Sequence, residues 1–191
     1  QESTRSHWAS STHQQEDMAC NDCHKAHVKK DPVMDHRLQA EKCLSCHKKQ
    51  QAKLNLPSYH PIKEGKTACS DCHNPHGTGT IADLDNVTLN ELCLSCHTEK
   101  RGPFLFEHAP VAEDCSECHE AHGSAHPSLL ISRPPFLCQR CHMSAFHPST
   151  LTDGSGLARG TPNSRLLGES CLNCHGSIHG SNHPSGDRLT R

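Results

Sequence analysis

The chain has 191 residues, with 19 Lys and Arg against 21 Asp and Glu, so its charge does not indicate binding to nucleic acid or to an anionic membrane surface. No run of 18 apolar residues occurs, and no direct transmembrane span is predicted. Leu, Ile, Val and Phe together number 30, a share below the roughly 20% at which an ordinary chain builds its own core.

Two short helices are predicted from capping signals. In chain order, the first covers 36–49 and has Asp35 as its N-cap. The second covers about 89–98, where Thr88 and Glu91 complete a capping box. Both helices run into a cysteine motif, so we expect helical turns to present these cysteines.

The remaining chain predicts little regular structure. Two prolines open a short turn at 134–142 that carries Cys138, and the stretch 151–165 is expected to be a surface loop. Much of the rest is dense in Pro, Gly, Ser and Asn. The predicted fold class is therefore mostly irregular, with few short α-helices and no significant β-sheet.

All 14 cysteines fall in Cys-x-x-Cys-His motifs, and no cysteine is left over. Two thiols three positions apart can add to the two vinyl groups on one edge of a haem, and the following His can bind the iron. We therefore predict seven covalently attached haem c groups. The attaching residues are Cys20, Cys23, Cys43, Cys46, Cys69, Cys72, Cys93, Cys96, Cys115, Cys118, Cys138, Cys141, Cys171 and Cys174. The proximal iron ligands are His24, His47, His73, His97, His119, His142 and His175.

Other uses of paired cysteines fit less well. Zinc ribbons bind metal through four sulfurs and do not need a His after every pair. Disulfide scaffolds have no use for that His either. Seven haem plates would also supply the apolar core that the polypeptide lacks, so we expect folding to be coupled to haem attachment.

Twelve further His residues can fill the second axial positions. Eight recur in phase with the motifs, and we predict that seven of these eight are distal ligands: His13, His27, His60, His76, His108, His122, His147 and His179. The spare one is expected to be His13 or His179. The other four are expected to be exposed or to bind haem propionates: His7, His36, His126 and His183. A His three residues beyond its own proximal His cannot reach the other face of the same haem, so it must bind a neighbouring one.

The motifs alternate between two kinds, which predicts a repeat of two haems. The units cover about 13–60, 69–108 and 115–147, followed by a half unit at 171–183. We interpret residues 1–191 as a single seven-haem cytochrome domain with an extended haem chain. Because the chain starts at Gln1 without Met, we expect a mature exported form from which a signal has been removed.

Several strings carry a family resemblance: ACNDCHKAHVKKDPV, CSDCHNPHG, EKRGPFLFEHAPV and CLNCHGSIHGSNHPSG. They resemble the decahaem periplasmic cytochromes of outer-membrane porin–cytochrome conduits, the Mtr/DmsE type, and match their last seven haems. The resemblance implies a rod of closely spaced haems inside an outer-membrane β-barrel porin. It also implies a periplasmic donor, an extracellular acceptor cytochrome, and a location in the periplasm associated with the outer membrane.

Three functions compete on the sequence alone. The first is electron transfer within an extracellular electron transfer conduit, and the second is a soluble periplasmic electron shuttle. The third is a multihaem reductase, which needs an open iron and often has an altered motif. No motif is altered here, and His residues outnumber the vacant positions, so we predict bis-His haems and no enzymatic activity.

Overall fold

The computed structural model describes residues 5–142 and 170–190. The predicted loop at 151–165 and the candidate ligand His147 lie outside the described residues. Four isolated β-bridges occur in the described part of the chain, and no strand is formed there. The predicted fold class of few short helices without a β-sheet is confirmed for these residues.

The chain divides into two compact units. The first comprises Gln1–Thr98 and Glu120–Leu129, and the second comprises Glu99–His119 and Leu130–Arg191. Glu120–Leu129 thus belongs to the first unit, although the segments on both sides of it in sequence belong to the second.

Seven short α-helices lie within 5–142, and the longest has eight residues. They are α1 Thr12–Gln15, α2 Cys20–Cys23, α3 Gln39–Cys46, α4 Lys48–Lys53, α5 Leu89–Cys96, α6 Ala109–Glu113 and α7 Phe136–Gln139. Single 3-10 turns connect them: Trp8–Ser10, Pro32–Met34, Cys69–Asp71, Ile81–Asp83, Thr98–Lys100, Cys115–Glu117, Pro127–Leu129 and, in the second described stretch, Cys171–Asn173. Helices this short are not stable in isolation, so other contacts must hold them.

The predicted helix at 89–98 is confirmed as α5. The Thr88 side chain accepts a hydrogen bond from the backbone N–H of Glu91, and the Glu91 carboxylate accepts one from the backbone N–H of Thr88. This reciprocal pair satisfies two of the amides that a helix leaves unbonded at its start. The predicted turn at 134–142 is also confirmed, since α7 follows Pro135 and includes Cys138.

The predicted helix at 36–49 is wrong in its boundaries. The α3 helix begins at Gln39. The Asp35 carboxylate accepts from the backbone N–H of Arg37 at 3.0 Å and so caps a hydrogen-bonded turn at 36–38 that precedes the helix. The helix is interrupted at His47, whose ψ of 63° is not helical, and α4 then begins. The interruption turns the His47 backbone out of the helix directly after the second cysteine.

The buried apolar core is very small. Among the described residues it consists of Leu54, Ile62, Ala68 and Leu92. Several large apolar side chains are exposed instead, including Ile81 and Val87. No helix in the described part of the chain is long and apolar enough to cross a membrane.

Candidate haem-binding sites

Each Cys-x-x-Cys-His motif is folded as a tight helical turn. In all seven motifs, the backbone N–H of the His donates to the carbonyl of the first Cys at 2.9–3.0 Å. Positions three residues apart on such a turn lie on one face, so the two thiols point the same way. None of the 14 cysteines forms a disulfide, and none is fully buried. The turn therefore presents two thiols and one imidazole together, as attachment to one haem edge requires.

Imidazoles from elsewhere in the chain face the motif His residues. Within the described residues six such pairs have ring centroids 5.9–6.3 Å apart: His24–His76, His47–His13, His73–His122, His97–His60, His119–His179 and His142–His108. A metal–imidazole bond of about 2 Å on each side, plus about 1 Å from nitrogen to ring centre, requires a separation of about 6 Å. The donor atoms and their spacing therefore fit an iron held between two His ligands.

The six facing His residues form two classes. Class 1 His residues lie three or four residues after a motif His, and each faces the His of the motif two motifs earlier: His76, His122 and His179. Class 2 His residues precede a motif in sequence. Each skips that motif and faces the His of the following one: His13, His60 and His108. Each pair thus joins distant parts of the chain.

The two remaining candidates differ from these six. His27 is exposed, has a φ of 61°, and takes part in none of the six pairs of the described residues. Its sequence position is that of a class 1 His, but Val28 follows it, whereas Gly follows the other three. His13 and His179, which the sequence favours as the spare, each face a motif His.

Backbone carbonyls orient the class 2 His residues. Nδ1 of His13 donates to the carbonyl of Pro75 at 2.9 Å, and Nδ1 of His60 donates to the carbonyl of Ala121 at 2.7 Å. A carbonyl can only accept, so Nδ1 carries the proton and Nε2 is left for a metal. Both carbonyls belong to the residue directly before a class 1 His. Each of these two bonds therefore links a class 2 His to a class 1 His through the backbone.

Three of the motif His residues have a defined acceptor for Nδ1, and it is a backbone carbonyl for two of them. Nδ1 of His73 donates to the carbonyl of Ala82 at 2.8 Å, and Nδ1 of His175 donates to the carbonyl of Arg188 at 2.7 Å. Nδ1 of His24 instead donates to the carboxylate of Asp31 at 2.6 Å. The sequence analysis missed these acceptors, and no motif points to Asp31.

Burial keeps several facing imidazoles neutral. Removal from water lowers the pKa of all three class 1 residues and of one class 2 residue: His76, His122, His179 and His108. A His must be neutral to bind a metal, so the lowered pKa favours ligation near neutral pH. Nδ1 of His108 is buried beside the backbone of Ile178, but no partner in the described residues meets normal hydrogen-bond geometry.

Glycine lets the chain approach closely beside two class 1 His residues. A Cβ added at Gly123, after His122, would lie 2.1 Å from the carbonyl oxygen of Lys53. A Cβ added at Gly180, after His179, would lie 2.3 Å from the ring of Phe104. Both distances are far below van der Waals contact, so only glycine fits there without a shift of its neighbours.

Cysteines of successive motifs are neighbours. The Cys43 thiol is hydrogen-bonded to Cys69, which raises the pKa of Cys43 and lowers the pKa of Cys69 to about 7. Burial, with Cys171 beside it, raises the pKa of Cys138 to about 11. Thiol neighbours also join Cys23 with Cys46, Cys72 with Cys96, and Cys118 with Cys141. The first to fourth motifs are therefore adjacent in sequence order, and so are the fifth to seventh.

The other His residues have ordinary polar contacts. Nε2 of His36 lies 3.2 Å from Asp71, and Nδ1 of His183 lies 3.0 Å from the hydroxyl of Ser185. His7 is exposed and His126 is half-buried. None of the four forms part of the six pairs found in the described residues.

Comparison with known proteins supports haem attachment. A family described as a doubled CXXCH motif matches residues 60–102 and 108–147. The chain is 50% identical over its whole length to a protein named multiheme cytochrome MtrA from Shewanella baltica (strain OS185). It spans 58% of the length of that relative. Both family matches begin at a class 2 His, and each includes two motifs.

Proposed function

We propose that the chain, a multihaem c-type cytochrome by its paired motifs and its 50% identity to MtrA, transfers electrons through seven haem c groups, each with two His ligands. The six opposed imidazole pairs carry this proposal. Two protein ligands leave no iron position open to a substrate, which favours electron transfer over reduction of a small molecule. When bound, haem iron supplies the one-electron chemistry between its ferric and ferrous states.

We assign the ligands by the two classes. The seven motif His residues are the proximal ligands, and the six facing His residues are the distal ligands of the irons they face. His147 is proposed for the iron of the last motif, that of His175. His27 then becomes the spare member of the eight candidates, in place of His13 or His179, because its ring joins no pair in the described residues.

The order of the motifs supports a linear path. Thiol neighbours link the first four motifs in sequence order and the last three in sequence order. The backbone bonds from His13 and His60 fix the distal rings of neighbouring sites against each other. Rigid ligands reduce the change in geometry on gain of an electron, which suits transfer along a series.

We further propose that the chain works in the periplasm as the porin-embedded part of an outer-membrane conduit. It would take electrons from a periplasmic donor and pass them to an extracellular cytochrome, or run in reverse. The support is the family resemblance of the strings outside the haem motifs, such as those around Phe104 and His183. A lumen-filling protein should be polar, and charged residues form 21% of this chain.

The test has two stages. First, the mass of the mature protein should exceed that of the polypeptide by seven haem masses, and optical spectra should show only low-spin iron. Six or fewer haems, or a stoichiometric high-spin iron, would contradict the proposal, and the latter would favour a reductase.

Second, the chain and its candidate porin are reconstituted in liposomes that enclose a redox dye. A conduit predicts that an external donor reduces the dye only when both proteins are present. Absence of a stable complex with the porin would favour the soluble periplasmic shuttle.

A further inference from the structure

The acceptor for the Nδ1 proton differs among the motif His residues. For His73 and His175 it is a neutral backbone carbonyl, of Ala82 and Arg188 respectively. For His24 it is the carboxylate of Asp31, and the bond of 2.6 Å is the shortest of the three. An anionic acceptor draws the proton further from the ring than a carbonyl does, and the ring becomes a stronger electron donor through Nε2.

The Asp31 carboxylate is fixed in place by its own contacts. Oδ1 accepts from the backbone N–H groups of Lys25 and Val33, both at 3.3 Å, which leaves Oδ2 for His24. Asp31 is the N-cap of the turn Pro32–Met34, and its side chain is 18% exposed. Its charge therefore lies in a partly desolvated position beside the ligand.

A second carboxylate, that of Glu120, lies near a facing His but is not hydrogen-bonded to it and has a lysine partner. Glu120 lies 3.6 Å from Nδ1 of His122, beyond hydrogen-bond distance, and its other oxygen is 2.5 Å from Nζ of Lys53. Lysine therefore neutralises Glu120. In the described residues, Asp31 has no such Lys or Arg partner, and its ion-pair contact is His24.

We propose that Asp31 is a positioning residue that lowers the reduction potential of the iron held by His24 and His76. The inference rests on the bis-His assignment above. A more basic ligand and a fixed negative charge both stabilise the ferric state, which carries one more positive charge than the ferrous state. An electron on this site is then held less tightly than with a carbonyl acceptor, and passes on to the adjacent motif of His47.

The test compares D31N and D35N in the haem-loaded protein. Asp31→Asn keeps an oxygen for the backbone amides but removes the charge beside His24. Asp35→Asn removes the same charge four residues away, where the carboxylate bonds Lys30 and Arg37 and contacts none of the assigned ligands. Each variant is followed by a spectroscopic redox titration and by electron paramagnetic resonance of its ferric haems.

In D31N one haem of the seven should become easier to reduce, with about a tenfold change in its ferric/ferrous ratio at fixed potential, or ~59 mV for one electron. One low-spin signal should shift as well, while all haems stay low-spin. D35N should change neither. Equal shifts in the two variants, or no shift in D31N, would overturn the inference while leaving the seven low-spin haems of the proposed function intact.

Loss of a haem or appearance of high-spin iron in the wild-type protein would count against the proposed function itself. If D31N does not mature fully, D31S is measured in the same way, because Ser retains an N-cap oxygen for Val33. An unchanged potential in D31S would overturn the inference as well.

Discussion

At the scale of single residues, two His residues at equivalent sequence positions have different surroundings in the structure, and we expect them to have different roles. His27 and His76 both lie three residues after a motif His, yet only His76 faces another motif His. We therefore expect His76→Ala to open the iron of His24 and to produce one high-spin haem of seven, while His27→Ala leaves every iron in this chain low-spin. Optical and electron paramagnetic resonance spectra of the two matched variants measure this directly.

His36 provides a further control, since its Nε2 contacts Asp71 and it is expected to be exposed. His36→Ala should leave all irons six-coordinate, and His108→Ala should open one. A high-spin signal in the His27 variant, together with a normal spectrum in the His76 variant, would reverse the assignment.

At the scale of local elements, two backbone segments approach so closely beside His122 that only glycine fits at position 123. In Gly123→Ala the new methyl group would meet the Lys53 carbonyl at 2.1 Å, so α4 and the segment that carries His122 must separate. We expect a loss of about 1–3 kcal/mol, the usual cost of overpacking, and a lower thermal midpoint.

The matched variant is Gly176→Ala, where an added Cβ would have no neighbour within 4 Å. Its thermal midpoint should stay near that of the wild type, as measured by the Soret band on heating. Equal destabilisation by both substitutions would mean that the contact with Lys53 is not the cause.

The segment that carries His122 is also held to α4 by the ion pair between Glu120 and Lys53, which should make the stability of the protein depend on pH. Burial raises the pKa of Glu120, but the hydrogen bond and the charge of Lys53, together with His122, outweigh this and leave the pKa below its ordinary value of 4.5. A lowered pKa in the folded state means that the pair stabilises the protein above pH 4.5, and this contribution is lost as pH falls further. Glu120→Gln should therefore lower the thermal midpoint at pH 7, and the difference from wild type should shrink below pH 4.5.

Glu41 offers a comparison, because it is exposed on α3. Glu41→Gln should leave the midpoint unchanged at both pH values. A Glu120→Gln deficit that persists undiminished at low pH would show that packing, rather than charge, makes the difference.

Capping signals in the sequence predicted some of the helix boundaries, but nothing in the sequence predicted which His residues face each other. The helix at α5 could be predicted because Thr88 and Glu91 determine its start within four residues. The start of α3 could not, because Asp35 caps a turn at 36–38, and the capping signal does not distinguish such a turn from the first turn of a helix. Which His faces which motif depends on contacts between distant segments, and spacing alone does not determine them.

At the scale of the whole molecule, the sequence indicates a repeat of two kinds of motif, but it does not indicate which His faces which motif. The alternation of motifs predicts units of two haems. In the structure, Nδ1 of two class 2 residues, His13 and His60, donates to the carbonyl of the residue directly before a class 1 His. His119 and His122 lie in different compact units although they are only three positions apart in the sequence.

The small buried core has a consequence for the chain as a whole. Four buried apolar residues cannot offset the conformational entropy of ordering more than 150 residues, which is of order 1–2 kcal/mol per residue. The exposed Ile81, Val87 and Phe136 show that the polypeptide does not cover its own apolar side chains. Haem plates between the paired imidazoles would supply the missing apolar surface and crosslink distant segments.

We therefore expect the chain produced without haem attachment to lack cooperative unfolding. Calorimetry and near-ultraviolet circular dichroism should show no sharp thermal transition, whereas the haem-loaded protein should show one. If iron ligation holds the opposed imidazoles about 6 Å apart, as we propose, they should not stay together in the haem-free chain. A cooperative transition in the haem-free chain would mean that backbone bonds and the four buried residues suffice, and that the His pairs form before haem is attached.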